Sequence, residues 1–132
     1  MIAGICGLLF AVFAILFARR VHGEHWLYAI TLVALPGIYS FFAFYAGEAT
    51  VGFDELIFGI PFIAGGLLLV LSSTPQTLMV IGALWILHAL YDLTHEWFFI
   101  NPAAPGWYPM FCASVDFVIG LYVLRLAIKA KK

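Results

Sequence analysis

Residues 1–18 read MIAGICGLLFAVFAILFA, a run without a charged side chain, and Arg19 and Arg20 follow it directly. A helix of about 20 apolar residues crosses the roughly 30 Å hydrocarbon core of a bilayer. This run is therefore long enough for one membrane span, and four later runs are also apolar and of about this length. We predict an all-α polytopic transmembrane bundle of five helices, in a single domain covering residues 1–132, with spans at about 1–18, 26–45, 51–72, 76–99 and 107–128.

The composition supports the same conclusion. Of 132 residues, 65% are hydrophobic and 10% are charged, whereas an average soluble domain is about a quarter charged and under half apolar. A small soluble domain has too much surface for its volume to hide this much apolar area, so the lipid bilayer is the expected partner. The net charge of −1 and the lack of a basic groove argue against binding to nucleic acid.

The basic residues predict the orientation. With five spans, every Lys and Arg falls on the side of the C-terminus or at its edge, and lysine and arginine collect on the cytoplasmic side of membrane proteins. We therefore expect a multi-pass protein of the cell membrane with its N-terminus outside and its C-terminus in the cytoplasm. The first run is not expected to be a secretory signal, because its bases follow the apolar stretch. The basic residues are Arg19, Arg20, Arg125, Lys129, Lys131 and Lys132.

Six of the seven acidic residues fall in the outer half or at the outer end of spans two to five. On insertion scales, a charge facing lipid at mid-membrane costs roughly 2.5–3.5 kcal/mol. Such side chains should therefore face the bundle interior, pair with one another or line a wet cavity. The six are Glu48, Asp54, Glu55, Asp92, Glu96 and Asp116.

The fourth span carries the densest group of polar residues. His88, Asp92 and His95 have the spacing i, i+4 and i+7, which places them on one stripe of a helix, with Glu96 at its shoulder. Asp116 and Glu55 lie on faces of spans five and three that contain small residues, which suit close packing in membranes. The simplest assembly packs these three faces together and surrounds one outward-side pocket with His88, Asp92, His95, Asp116 and Glu55.

Two imidazoles and several carboxylates form a ligand set for zinc, iron, manganese or copper. One ion rarely takes all three residues of the stripe, so the expected set is two of them with Asp116 or Glu55. Without a metal, the same residues could act as acid and base or as a proton relay. A single His in a membrane helix is also commonly a hydrogen-bonding partner of a neighbouring helix.

Three classes of function remain open from the residues alone, and whether the protein is an enzyme is not decided. The first is a membrane enzyme that acts on a lipid or isoprenoid, with or without a divalent transition metal. The second is an accessory or structural subunit of a larger membrane complex or homo-oligomer. The third is a small transporter or metal-handling protein with its pocket open to the outside.

The segment Trp85-Ile-Leu-His88-x-x-Tyr91-Asp92-x-x-His95-Glu96, followed by Asn101-Pro102, Pro109, Cys112 and Asp116, resembles an uncharacterised family of small bacterial integral membrane proteins. That family, a domain of unknown function, has a Trp-Leu-Leu-His-x-x-Trp-Asp-x-x-His-His helix, an Asn-Pro link and a Cys-containing helix with an Asp. Its Trp-Glu-Phe segment is similar to residues 53–56 and would match Glu55. Tyr91 and Glu96 depart from the pattern, which has Trp and a second His there.

The resemblance implies a polar cluster in a bacterial inner membrane, and it does not indicate a substrate. A second, more limited similarity is to small carotenoid cyclase subunits, which also have paired acids at the start of an apolar helix, as Asp54 and Glu55 are here. Those subunits have a proline directly before the acids, where this chain has Phe53.

Overall fold

The computed structural model describes residues 1–24, 26–72 and 74–131, which form helices and no strand. The helices are α1 (Ile2–Arg20), α2 (Leu27–Tyr45), α3 (Ala49–Leu69), α4 (Pro75–Phe98) and α5 (Tyr108–Ala130). Each begins and ends within three residues of a predicted span. His25, Ser73 and Lys132, the last predicted to belong to the cytoplasmic basic cluster, lie outside the described residues.

All five helices are long and apolar enough to cross a membrane. They contain 19 to 24 residues, and the mean hydropathy of their most apolar windows lies between 1.5 and 2.3. At 1.5 Å of rise per residue, the shortest reach about 28 Å, which is close to the thickness of the hydrocarbon core. The predicted all-α bundle of five helices is confirmed, and the sidedness of its two ends stays a prediction.

The outer surface of the bundle is far more apolar than that of a soluble protein. Large apolar side chains such as Phe13 (65% exposed) and Leu68 (79% exposed) cover the outside of the bundle. Ionisable side chains such as Glu55 and Asp92, each 1% exposed, lie inside it. Contact between this apolar outer surface and water would be unfavourable, because the removal of apolar area from water is the main favourable term in folding. The structure therefore fits a small multi-pass membrane protein solvated by lipid.

The helix ends have local causes. Thr74 caps the start of α4, where its hydroxyl oxygen accepts a hydrogen bond from the Thr77 backbone N–H at 3.1 Å, and Pro75 follows as the first helical residue. Gly47 has a φ of +81°, a left-handed conformation that glycine adopts without steric cost, and it turns the chain between α2 and α3. The chain is extended at Phe99, which ends α4.

Three helix pairs bring their backbones into close contact. Helices α4 and α5 pack along most of their length, and a Cβ atom at Gly120 would lie 3.1 Å from the Gly82 carbonyl oxygen. In the pair α2 and α3, a Cβ at Gly66 would lie 2.5 Å from the Ala29 carbonyl oxygen, and in the pair α1 and α5 a Cβ at Gly7 would lie 2.5 Å from the Phe111 carbonyl oxygen. Small residues allow this approach because a longer side chain would separate the backbones.

The position of α3 differs in part from the predicted assembly. Its small residues Gly59 and Gly66 pack against α2, at Pro36 and Ala29, and not against α4. The contact between α3 and α4 is much less extensive than the contact between α2 and α3. The physical reason is that Gly59 and Gly66 let α2 approach α3 closely, whereas the larger Glu55 and Phe62 side chains bridge the wider gap to α4.

Candidate intramembrane metal site

The five residues predicted to surround one pocket are all buried, at 1–2% exposure, but they form two groups. His88, Asp92 and Asp116 form the first group, which we call the triad. Glu55 and His95 form the second, which Asn101 joins from the loop between α4 and α5; we call these three residues the clamp. Glu96 is exposed and belongs to neither group.

The triad joins α4 to α5. The Nδ1 atom of His88 lies 2.7 Å from Oδ2 of Asp116 and 3.5 Å from Oδ2 of Asp92. One potential ligand atom from each of the three side chains lies within 4.8 Å of the others. One imidazole nitrogen thus faces two carboxylates, and all three side chains converge on one point in the interior.

Helix geometry accounts for this convergence. His88 and Asp92 are four residues apart on α4, so they lie one above the other on the same face. Asp116 is four residues before Gly120, and Gly120 is where α5 touches the α4 backbone at Gly82. The close contact of the backbones at the glycines places Asp116 one turn away from that contact, within hydrogen-bond distance of His88.

The polar atoms of the triad are incompletely satisfied. Both carboxylate oxygens of Asp92 and the Nε2 atom of His88 are buried without a hydrogen-bond partner among residues 1–24, 26–72 and 74–131. Buried carboxylates normally pair with a cation or accept hydrogen bonds, because an ion taken out of water otherwise costs several kcal/mol. Since two carboxylates share a single imidazole, the triad has room for one more positively charged partner.

The clamp joins α3 to α4 and to the loop that follows α4. The His95 Nε2 atom lies 3.0 Å from Glu55 Oε1. The Asn101 side-chain amide donates to both Glu55 oxygens, at 3.0 and 3.3 Å, and to the Tyr39 carbonyl oxygen at 2.9 Å. Both oxygens of this carboxylate therefore have partners, in contrast to those of Asp92.

Aromatic rings surround both groups. The Tyr39 ring stacks on His95, with ring centroids 4.0 Å apart and planes 16° from parallel. Phe62 meets His88 edge to face at 4.7 Å. Tyr91 lies between the two imidazoles, 5.6 Å from each ring. These rings fix the orientation of the imidazoles and keep the surroundings of the two groups apolar.

Three residues near the site were not predicted as functional. The sequence places Asn101 in the Asn-Pro link between spans four and five, and this link in the motif of the resembled family is the signal that could mark it. Tyr39 and Phe62 are aromatic residues in apolar helices, where nothing in their spacing separates them from residues that face lipid. Their roles depend on how α2 and α3 pack, which the spacing within one helix does not determine.

Two cavities border the site. A groove of about 580 Å³ lies beside the triad and includes Asp116 in its lining. A second cavity, of about 320 Å³, lies over the clamp and is lined by His95, Asn101 and the exposed Glu96. The lining of the first cavity is mostly apolar, whereas the second is lined by the polar side chains of His95 and Glu96 from α4 and of Asn101 from the loop.

Comparison of this chain with protein families, with characterised proteins and with solved structures finds no match. The resemblance to a family of small bacterial membrane proteins therefore stays a prediction from the motif.

Proposed function

We propose that this protein is a membrane metalloprotein that binds a divalent transition metal ion through His88, Asp92 and Asp116. The observation that carries the proposal is the Asp92 carboxylate, which is 1% exposed and has no hydrogen-bond partner among the residues described. A bound cation would satisfy both oxygens of this group and the second carboxylate beside it.

The charges favour a divalent ion. Two ionised carboxylates and a neutral imidazole carry a charge of −2, which one divalent cation neutralises. No lysine or arginine side chain takes this role, since the buried polar and charged residues of the described chain include none. In an apolar interior, neutralisation matters more than at a surface, because charges interact more strongly where the effective dielectric is low.

The ligand set favours zinc, iron or manganese. One imidazole nitrogen and two carboxylate oxygens suit these ions, whereas copper(I) prefers sulfur ligands. Three protein ligands leave at least one coordination position open, as in catalytic zinc sites, while structural zinc sites usually have four. An open position allows a metal ion to polarise an oxygen of a substrate or to activate water. The proposal therefore favours an enzyme over a purely structural role.

A second candidate uses the same residues without a metal. The 2.7 Å contact between His88 and Asp116 has the geometry of an acid–base pair, in which the carboxylate orients the imidazole. This alternative leaves both Asp92 oxygens without a hydrogen-bond partner among the described residues, which is why we favour the metal. An accessory subunit would instead use the triad only to join helices, and would purify without metal in a fixed complex.

The experiment is elemental analysis of the full-length protein, purified in mild detergent from cells supplied with zinc, iron and manganese. We expect about one equivalent of a single divalent metal per chain, as a three-ligand site predicts. Asp92→Asn should lose this metal, because it replaces the charged ligand with an amide. Glu96→Gln is the matched control, since it removes a carboxylate from the same helix at an exposed position, and it should keep the metal.

A protein that contains no metal, and takes up none when dialysed against each of the three ions, would overturn the proposal. Equal loss of metal from Asp92→Asn and Glu96→Gln would overturn it as well, since the ion would then not be bound at the triad.

A further inference from the structure

Tyr39 of α2 is buried as deeply as the residues of the triad. Its side chain is 1% exposed, and its hydroxyl has no hydrogen-bond partner among residues 1–24, 26–72 and 74–131. A hydroxyl in this position lowers stability, because nothing replaces the hydrogen bonds that it could form with water. A buried polar group of this kind therefore indicates a site where a ligand supplies the missing bond.

The Tyr39 hydroxyl lies beside the Asp92 carboxylate of the triad. The Tyr39 ring stacks on His95, with ring centroids 4.0 Å apart. Asp92 precedes His95 by three residues, so it lies about one turn nearer the middle of α4 on the same face. A third helix, α2, thus contributes a polar group to the point where α4 and α5 bring the triad together.

The clamp and two further rings hold Tyr39 in place. Its backbone carbonyl oxygen accepts a hydrogen bond from the Asn101 amide at 2.9 Å, and its ring lies against His95. Tyr91 and Tyr108 pack edge to face against the same ring, at centroid distances of 6.1 and 5.3 Å. The packing of the clamp therefore positions the Tyr39 hydroxyl at the triad.

The hydroxyl and the carboxylate do not bond to each other, although one is a donor and the other an acceptor. The Tyr39 oxygen and both Asp92 oxygens lack a hydrogen-bond partner within the described ranges. One group satisfies both if its positive part meets the carboxylate and its lone pair accepts the phenolic proton. A metal ion bound to Asp92, with an oxygen ligand at its open coordination position, has this arrangement.

The charges favour a neutral phenol over a phenolate ligand. Two carboxylates and one neutral imidazole already balance a divalent ion, so an ionised Tyr39 would leave a net negative charge in an apolar interior, which is costly. A neutral phenol donates a hydrogen bond without changing this balance. We therefore expect Tyr39 to contact a ligand of the metal ion and not the ion itself.

We propose that Tyr39 is a further residue of the triad site, and that its hydroxyl donates a hydrogen bond to an oxygen ligand at the open coordination position of the metal ion. This inference rests on the proposed metal centre. It assigns to that centre a ligand with a free oxygen lone pair: water, or a hydroxyl or carbonyl oxygen of a substrate. A fixed donor at this point stabilises negative charge that develops on the oxygen, as preorganised hydrogen-bond donors do in enzymes.

The test uses nitric oxide as the probe, because it is small and uncharged and binds iron(II) sites that have an open position. The full-length protein is stripped of metal, loaded anaerobically with iron(II) and titrated, and electron paramagnetic resonance measures the iron–nitrosyl complex. Binding moves electron density from the iron to the nitrosyl, which then accepts a hydrogen bond. Tyr39→Phe should raise the dissociation constant of nitric oxide by about 2- to 10-fold, the effect of losing one hydrogen bond.

Tyr28→Phe is the matched control. Tyr28 lies on the same helix, is 3% exposed, and also has a buried hydroxyl without a partner among the residues that the structure describes. It is about 16 Å from Tyr39 along α2, so its removal should leave the dissociation constant of nitric oxide unchanged. Both variants should keep the iron, which shows that they fold, because neither residue belongs to the proposed ligand set.

A measurement on the wild-type protein decides the outcome if Tyr39→Phe fails to fold. The metal-free protein is equilibrated in D2O before it is loaded with iron and nitric oxide. The N–O stretching band in the infrared spectrum should then shift from its position in H2O, because the phenolic proton that bonds to the nitrosyl exchanges. Tyr28→Phe should keep this shift, and a folded Tyr39→Phe should lose it.

A protein that takes up no iron overturns the metal centre and this inference together. The remaining outcomes separate the two proposals. Bound iron that takes up no nitric oxide, or that binds it equally in the wild type and Tyr39→Phe, overturns this inference and leaves the metal centre in place. An N–O band that does not shift in D2O does the same. An intense visible absorption band of the iron(III) protein that Tyr39→Phe abolishes would also overturn it, since that band identifies a phenolate ligand.

Discussion

His88 and His95 lie seven residues apart on the same face of α4, and their surroundings differ. His95 belongs to the clamp, where the carboxylate of Glu55 has partners for both oxygens. His88 belongs to the triad, where both oxygens of Asp92 have no hydrogen-bond partner within the described chain. Two identical side chains on one face of α4 thus lie beside different carboxylates: His95 beside Glu55, whose two oxygens have hydrogen-bond partners, and His88 beside Asp92, whose oxygens have none within the described residues.

The difference separates a structural role from a functional one. A buried carboxylate whose two oxygens both accept hydrogen bonds holds helices together and has little capacity left to bind a ligand. A buried carboxylate without a partner lowers stability, and such groups are retained mainly at sites that bind or react with something. The comparison assigns helix packing to the clamp and ligand binding to the triad, and four predictions test this assignment.

The largest expected effect is on the clamp. Glu55→Ala removes the acceptor of both His95 and Asn101 and should lower the free energy of unfolding by about 3–5 kcal/mol, the usual cost of removing one partner of a buried pair. Denaturant unfolding in detergent micelles measures it. The metal content should not change. Glu48→Ala, at an exposed carboxylate directly before α3, is the control and should have little effect.

The second prediction concerns metal addition. A metal supplied at about 100 times its dissociation constant should stabilise the metal-free wild-type protein by about 2.7 kcal/mol, because it binds only the folded state. Asp116→Asn should lose this gain, and Asn101→Ala should keep it. An equal gain in both variants would show that the triad and the clamp do not differ in metal binding.

The third prediction is a smaller loss of stability in the clamp. Asn101→Ala removes hydrogen bonds to a charged group, each worth about 1.5–3 kcal/mol, but leaves His95 in contact with Glu55. We expect a loss near the lower end of this range in the same unfolding assay. Thr94→Ala is the matched control, since its hydroxyl bonds only to carbonyls of its own helix. A loss no greater than that of Thr94→Ala would show that Asn101 contributes little.

The smallest effect has the opposite sign. In the metal-free protein, Asp92→Asn should raise the free energy of unfolding by about 1 kcal/mol, because it removes a buried charge that has no hydrogen-bond partner within the described residues and shares one imidazole with Asp116. Thermal unfolding in the presence of a chelator measures the change. Destabilisation of the metal-free protein by Asp92→Asn would mean that the carboxylate has a stabilising partner in the native state, and the contrast with Glu55 would then disappear.

The sequence by itself determined the five helices and which polar residues lie at bilayer depth. An apolar run of about 20 residues that crosses a membrane forms a helix, because its backbone groups in lipid must be hydrogen-bonded within the segment. The spacing of His88, Asp92 and His95 also placed these residues on one face, since a helix repeats every 3.6 residues. Burial of Glu55 and Asp116 followed from the cost of exposing a charge to lipid.

Only the tertiary structure decided how these residues are divided into two groups. Which carboxylate meets which imidazole depends on the relative depth of neighbouring helices, and that depth is set where backbones touch, at Gly82 and Gly120 for the triad. The position of Asn101 in the clamp depends on the path of a loop, and the groove beside the triad depends on α1 packing against α5. Helical periodicity describes one helix at a time, so it contains no information about these contacts between helices.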